Sequence, residues 1–323
     1  MIFSVTPNPA LDLSGVVDCL IPNEKNYVHH EVRTPGGNAI NAARILKKMR
    51  APVVVGGFIG GGIGAEVQQL LEDEGIRHQF VRIRSNTRIN VTVSNQETHL
   101  QTRLSFRGPK VKDSDREKLS QVISKMNEPS LLLIGGSLPP GLTPSHLAQI
   151  VRATQKRNIP VILDVPGKIL KVCASANPFL VKPNLVEFQE WIGKSASSIG
   201  QVTQEAKKLL SRVPLICISS VEGGALMVTP QGAWFGETPK IQVRSTVGAG
   251  DSMVGAMTAL LWKIKKVHQE RFSVKSLPPG LSEELLRWGL ASACATLSLP
   301  GLKLGNLKLI NRFLPKIRSY KIG

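Results

Sequence analysis

The sequence predicts an α/β fold in which a mostly parallel sheet is covered by helices on both faces. Short runs rich in Val, Ile and Leu alternate with longer helical patterns along the chain. These runs are apolar throughout rather than alternating, as strands buried on both faces are. The glycine-rich and polar segments fall after a strand or at a helix start, which is where open α/β sheets bind ligands.

In chain order, strands are expected at Val53 to Val55, Leu131 to Ile134, Val161 to Leu163, Phe179 to Val181 and Leu215 to Ile218, each near a turn containing Gly or Pro. Helices are expected at 37–49, 64–75, 143–157, 201–212 and 249–265. Two segments break this rhythm. Residues 13–34, and the alternating runs Arg88 to Ser94 and His99 to Phe106, read as strands without intervening helices. Asn95-Gln96-Glu97-Thr98 is a plausible hairpin connection between the latter two.

The 323 residues are 42% hydrophobic and 20% charged, without heptads or low-complexity runs, which describes ordinary globular material able to bury a large core. The first residues lack a basic region before an apolar stretch, and no apolar run approaches the roughly 20 residues that span a bilayer. A soluble, cytoplasmic protein without a membrane partner is expected. Cys19, Cys173, Cys217 and Cys294 make no close pair, so buried free thiols are expected rather than disulfides or a zinc site. The formal charge of +18 could signal nucleic-acid binding. Its bases are spread in small groups such as Lys47-Lys48, however, and aromatics are only 5%, so no dedicated nucleic-acid function is expected.

The most informative segment is Ser245-Thr246-Val247-Gly248-Ala249-Gly250-Asp251-Ser252, which leads into a long apolar helix. Its glycines let backbone approach a ligand, and the unpaired amides of a first helical turn form an anion hole with a carboxylate beside it. A simple N-cap accounts for Asp251 alone. Lys182, Asn184 and Glu187 follow the strand ending at Val181, so that a cation, an amide and a carboxylate can face one ligand. Asn184 and Glu187 also have the spacing of a capping box.

With Pro35 to Arg44 and Gly136 to Gly141 added, the chain resembles the ribokinase-like (PfkB) carbohydrate kinases, in the branch of phosphofructokinases and tagatose-6-phosphate kinases. The resemblance runs from Thr6-Pro7-Asn8-Pro9-Ala10-Leu11-Asp12 to the C-terminal helices, with the minor-type 6-phosphofructokinases the nearest pattern. It implies one three-layer αβα domain over residues 1–323, with a small β-sheet lid built from 13–34 and 88–106. It implies ATP and Mg²⁺ as cofactors, raises a monovalent cation as a further one, and implies a homodimer formed through the lid.

The resemblance makes Asp251 the base, with Gly248, Ala249 and Gly250 as the anion hole. Lys182, Asn184, Ser219 and Gly224 would bind the nucleotide, and Glu187 would reach Mg²⁺ through water. Asp12, Lys25, Gly36, Gly37, Asn41, Arg88, Arg103 and Ser137 would bind the sugar phosphate, with Lys25 serving a neighbouring subunit. Two arginines on lid strands suit a phosphate better than a neutral sugar. The implied reaction is phosphorylation of fructose-6-phosphate, with fructose-1-phosphate and tagatose-6-phosphate as alternatives. A regulatory or nucleic-acid-binding protein on a kinase scaffold is the rival from another class. Val221 and Asn38 depart from the family pattern.

Several look-alikes fail on their context. Gly60-Gly61-Gly62-Ile63-Gly64-Ala65 fits a dinucleotide fingerprint, but Arg82-Ile83-Arg84 stands where the acidic ribose partner belongs. Gly193-Lys194-Ser195 lacks the earlier glycine and the strand of a P-loop and reads as a helix-ending turn. Pro139 occupies the last glycine position of a nucleophile elbow, and His29-His30-Glu31 lacks the second histidine of a zinc protease.

Overall fold

The computed structural model describes residues 1–125, 131–268 and 277–322. Its central sheet has ten strands in the order β14-β13-β12-β11-β10-β9-β8-β1-β4-β5. The parallel part comprises β1 (Ile2–Thr6), β4 (Val53–Ile59), β5 (Arg77–Arg82), β8 (Leu131–Gly135), β9 (Val161–Asp164), β10 (Leu180–Val181) and β11 (Leu215–Val221). Every residue of β1, β4, β8 and β9 is buried, which is why their sequences are mostly apolar, with Ser4, Thr6 and Asp164 as the polar exceptions. The antiparallel strands β12 (Gly224–Thr229), β13 (Gly232–Glu237) and β14 (Arg318–Ile322) extend one edge beyond the strands predicted.

Successive strand residues feed two cores, one on each face of the sheet. Ile2, Leu131 and Leu133 pack under α1 (Asn38–Lys48), α2 (Gly61–Asp73), α8 (Ala249–His268), α9 (Leu281–Leu297) and α10 (Leu307–Phe313). Phe3, Leu132 and Ile134 pack under α3 (Asp113–Lys125), α4 (Pro144–Gln155), α5 (Gly167–Cys173), α6 (Leu185–Ile192) and α7 (Ile199–Lys207). The period-two alternation of strand side chains thus produces the three layers expected. Several helices start on reciprocal side-chain caps: Thr143 with His146, Asn184 with Glu187, and Ser198 with Gln201.

A separate four-stranded sheet runs β3-β2-β6-β7, from β2 (Ala10–Val17), β3 (His29–Gly36), β6 (Arg88–Asn95) and β7 (Gln101–Leu104). Its strands begin earlier and end later than the expected 13–34, because Ala10 and Gly36 still pair with each other. The last strand, Gln101–Leu104, is shorter at both ends than His99 to Phe106; before its start His99 takes a left-handed backbone with φ 59°. Arg33 of β3 grips Glu66 of α2 with two bonds of 2.6 and 2.9 Å, tying the small sheet to the body.

Three of the four cysteines are buried as expected, but Cys19 is exposed beyond the end of β2. Gly193 ends α6 in a left-handed cap, as its reading as a turn requires. Among the described residues no helix is long and apolar enough to cross a membrane.

Candidate active site

The carboxyl ends of β1, β8, β9, β10 and β11 share one edge of the sheet, and strand order reverses between β1 and β8. Ligands bind in that kind of crevice. Residues from the starts of α1 and α8 converge on it. Asn41 Nδ2 donates to Asp251 Oδ2 at 2.8 Å, joining positions 210 residues apart. The first hydrogen bond of α8 runs from Ser252 N to Gly248 O at 2.8 Å, so the amides of Ala249, Gly250 and Asp251 precede the helical ladder. Gly248 has φ +76°, and a Cβ there would lie 2.6 Å from Leu304, so the turn requires glycine.

Beneath this turn lies a charged pair that the sequence reading missed. Lys182 Nζ is 3.1 Å from Asp164 Oδ1, with side chains 5% and 6% exposed. Asp164 Oδ2 is buried without a partner. Burial acts to lower the pKa of Lys182, but Asp164 and Glu187 outweigh it and the net shift is upward. Burial and the negative charge of Asp164 push the Asp251 carboxyl up to about 7, against the pull of the Asn41 hydrogen bond and Lys182. Glu187 is likewise raised, first by burial and then by Asp164. A Cβ on Gly250 would lie 3.3 Å from Lys182 Nζ, so the ammonium sits against the anion-hole turn. Asp164 had no motif around it; its one signal was a carboxylate closing an apolar strand.

Glu187 and Asn184 form the capping box, Glu187 N to Asn184 Oδ1 and Asn184 N to Glu187 Oε2, each 2.9 Å. Ser219 joins Asn184 through an isolated bridge, which brings the nucleotide-loop candidate beside the cap. Gly224 is buried in the β12–β13 pairing, where a Cβ would collide with Gly236 O, so sheet packing by itself already requires glycine there. The departure at Val221 is absorbed by turning its side chain into the core, past a bulge with Ser220 at φ 62°.

The small sheet faces this floor. Asp12 pairs with Asn90 in parallel register, and Thr92 pairs with Arg103. Side-chain alternation therefore puts Asp12, Arg88, Asn90 and Arg103 on one face. Asn90 Nδ2 donates to Asp12 Oδ1 at 2.8 Å. Burial raises the Asp12 pKa, while Asn90 and the charges of Arg103, Arg88 and Arg44 pull it back. Gly36 leaves room for that carboxylate, with which any Cβ would collide. Gly37, φ +119°, precedes α1.

Arg88 donates to Phe106 O at 2.7 Å and Asn8 O at 2.9 Å, and Asn8 Nδ2 donates to Ser137 Oγ at 3.2 Å. Asn8 thereby links the arginine to the loop after β8. Lys25 is not brought to the site of its own chain: it lies in the β2–β3 connection, 4.8 Å above the Tyr27 ring. A cleft of about 650 Å³ separates the same small-sheet face, at Ser14, Val16, Ser94 and Gln101, from the body loops at Arg244 and Lys303. A cavity of about 570 Å³ between α3 and α4 shares no residue with it.

Among the described residues no three carboxylates, histidines or cysteines converge as a metal cage. Mg²⁺ does not need one, because it keeps several waters and uses one or two carboxylates plus phosphate oxygens. The orphaned Asp164 Oδ2 and the nearby Glu187 fit such a hard cation.

Known proteins share this layout. The chain is 29% identical, over the whole of both chains, to a 1-phosphofructokinase of Bacillus subtilis. It is 32% identical to the 1-phosphofructokinase of Escherichia coli over 84% of this chain and 87% of the relative. The phosphofructokinase-2 of Escherichia coli in complex with potassium is 28% identical, superposes with a TM-score of 0.88 and covers 98% of both chains. The same enzyme with fructose-6-phosphate is 27% identical, with a TM-score of 0.86 and 98% coverage of both. Its tetrameric inhibited form is 27% identical, with a TM-score of 0.85 and the same coverage. The pfkB family carbohydrate kinase profile matches residues 8–307, and with a mostly parallel sheet, a glycine turn leading into α8 and a separate small sheet, the chain belongs to that family.

Proposed function

We propose that the chain transfers the terminal phosphoryl group of ATP to fructose-1-phosphate, giving fructose-1,6-bisphosphate and ADP. The coarser part, an ATP-dependent sugar-phosphate kinase, follows from the family and its named relatives. The observation that supports a phosphorylated acceptor is the small-sheet face carrying Asp12, Arg88 and Arg103 opposite Asp251. Fructose-1-phosphate takes precedence over the fructose-6-phosphate expected from motifs because the sequence relatives carry the name 1-phosphofructokinase. Fructose-6-phosphate remains the second reading, favoured by the likeness to a structure holding that sugar.

In this reading Asp251 takes the proton of the attacking hydroxyl, and the Asn41 hydrogen bond keeps its carboxylate aimed into the cleft. The amides of Gly248, Ala249 and Gly250, with Lys182 beside them, stabilise the charge that develops on the transferred phosphoryl group. Asp12 and Asn41 orient sugar hydroxyls, Arg88 and Arg103 hold the phosphate, and Gly36, Gly37 and Ser137 let the loops close on the ring. Asn184, Ser219 and Gly224 lie along the nucleotide. Mg²⁺ would be held at Asp164 and, through water, at Glu187, where it neutralises phosphate oxygens. A monovalent cation belongs to the proposal on the strength of the potassium-bound relative.

The small sheet serves as the lid that excludes water from the transfer. We assign it the dimer contact as well, with Lys25 reaching the neighbouring site. Of the eleven exposed large hydrophobic side chains among the described residues, seven lie on or beside this sheet: Ile21, Tyr27, Val28, Val32, Leu100, Leu104 and Phe106.

The test is MgATP-dependent ADP release with fructose-1-phosphate, fructose-6-phosphate, tagatose-6-phosphate and unphosphorylated fructose side by side. A preference for fructose-1-phosphate supports the proposal, whereas a preference for fructose-6-phosphate replaces it with the second reading. Activity only on unphosphorylated fructose would overturn the arginine clamp.

A further inference from the structure

We propose that Asn90 is a specificity-determining residue, whose amide nitrogen fixes the Asp12 carboxylate and whose amide oxygen accepts a hydrogen bond from a hydroxyl of the sugar phosphate. This rests on the phosphosugar-kinase reading above and names a contact that reading does not contain. Asn90 lies on β6, directly opposite Asp12 on β2 and two residues from Arg88, with all three side chains on the face turned to the cleft.

Its amide is already half used. Nδ2 donates to Asp12 Oδ1 at 2.8 Å, while Oδ1 is buried and has no partner. Turning the amide over would set its oxygen against a carboxylate oxygen, so the donor is bound to stay on Asp12 and the acceptor is bound to stay free. Buried carbonyl oxygens are rarely left unpaired, because each forfeits the bond it made with water.

A second orphan complements it. Arg88 is held by two backbone carbonyls, and its Nε is buried without a partner. One unpaired donor and one unpaired acceptor, two residues apart on one strand face, match a ligand that offers an anionic oxygen and a hydroxyl together. A phosphorylated sugar has both, whereas a simple anion would leave the Asn90 carbonyl unsatisfied.

The test compares wild type with Asn90→Leu and the smaller Asn90→Ser, using the preferred sugar phosphate and analogues that each lack one hydroxyl. The expected result is a rise of at least tenfold in KM for the sugar phosphate, with KM for MgATP within twofold of wild type. One analogue should be at least tenfold worse than the parent sugar in wild type and no worse than the parent in the variants, because the hydroxyl and its acceptor form one bond. Penalties that remain the same for every analogue in all three proteins would overturn the inference and leave Asn90 a brace for Asp12. Absence of turnover by wild type on every phosphosugar would instead overturn the functional reading, and the inference with it.

Discussion

Asp164 and Lys182 stand on the central sheet with side chains 6% and 5% exposed, while Arg103 stands exposed on the edge strand of the small sheet across the cleft. In the proposed function both regions gather charge for one ligand, but they hold it differently. The floor fixes its charges against each other in a buried setting, so they are positioned before any ligand arrives and depend on the fold for their cost. The small sheet keeps Arg103 hydrated and gains most from it once bound sugar displaces water, since screening by solvent weakens exposed charges. Substitutions in the floor should therefore strike turnover and stability, and those in the small sheet should strike sugar affinity.

The sharpest attempt to break this contrast is Asp251→Asn, which removes the proposed base and little volume. Turnover should fall about 10³-fold with both substrates still binding, and ordinary kcat would refute the assignment. The same residue predicts a pH effect. A carboxyl raised from its usual 3.8 to about 7 binds its proton in the folded state where the unfolded chain has lost it. Stability then decreases as pH rises from about 4 to about 7, and kcat/KM of the wild type rises over the upper part of that window as the base ionises. The melting temperature of Asp251→Asn should exceed that of wild type by more at pH 8 than at pH 5, and a pH-independent difference would contradict the shift.

Next in size is Lys182→Met, which leaves Asp164 buried and unpaired. A loss of about 3 kcal/mol is expected in denaturant unfolding, together with a large fall in turnover. Arg88→Ala and Arg103→Ala should raise KM for the sugar phosphate about tenfold or more while leaving KM for MgATP unchanged, and an unaltered KM in both would dissolve the distinction between the regions. The smallest effect is expected from Arg33→Ala, which cuts an exposed pair between small sheet and body. Unfolding measurements should register almost no change, because solvent screens the pair.

The floor was easier to read in the sequence than the small sheet. Strands buried on both faces are mostly apolar, so the apolar runs of β4, β8, β9 and β11 were legible, and the glycine-rich turn announced α8. The edge strands β12 to β14 escaped because they belong to hairpins and a C-terminal return, which carry no parallel-sheet rhythm. Asp164 and Asn90 escaped for a different reason. Each is a lone polar residue in a strand, and only register reveals what it meets. Gly224 carries a packing duty that its place in a ligand motif did not announce, since a Cβ there would meet the neighbouring strand.

The reciprocal cap at the start of α6 has a consequence for how this enzyme can vary. Glu187 commits Oε2 to the amide of Asn184, leaving its other oxygen outside that cap. Under the proposed function one side chain answers to two selections at once, helix initiation and phosphate chemistry. A mutational scan scored by growth would register position 187 as intolerant without saying which demand was violated. Gln can satisfy the cap but carries no charge, so it is the substitution that separates an inherited structural duty from an acquired chemical one.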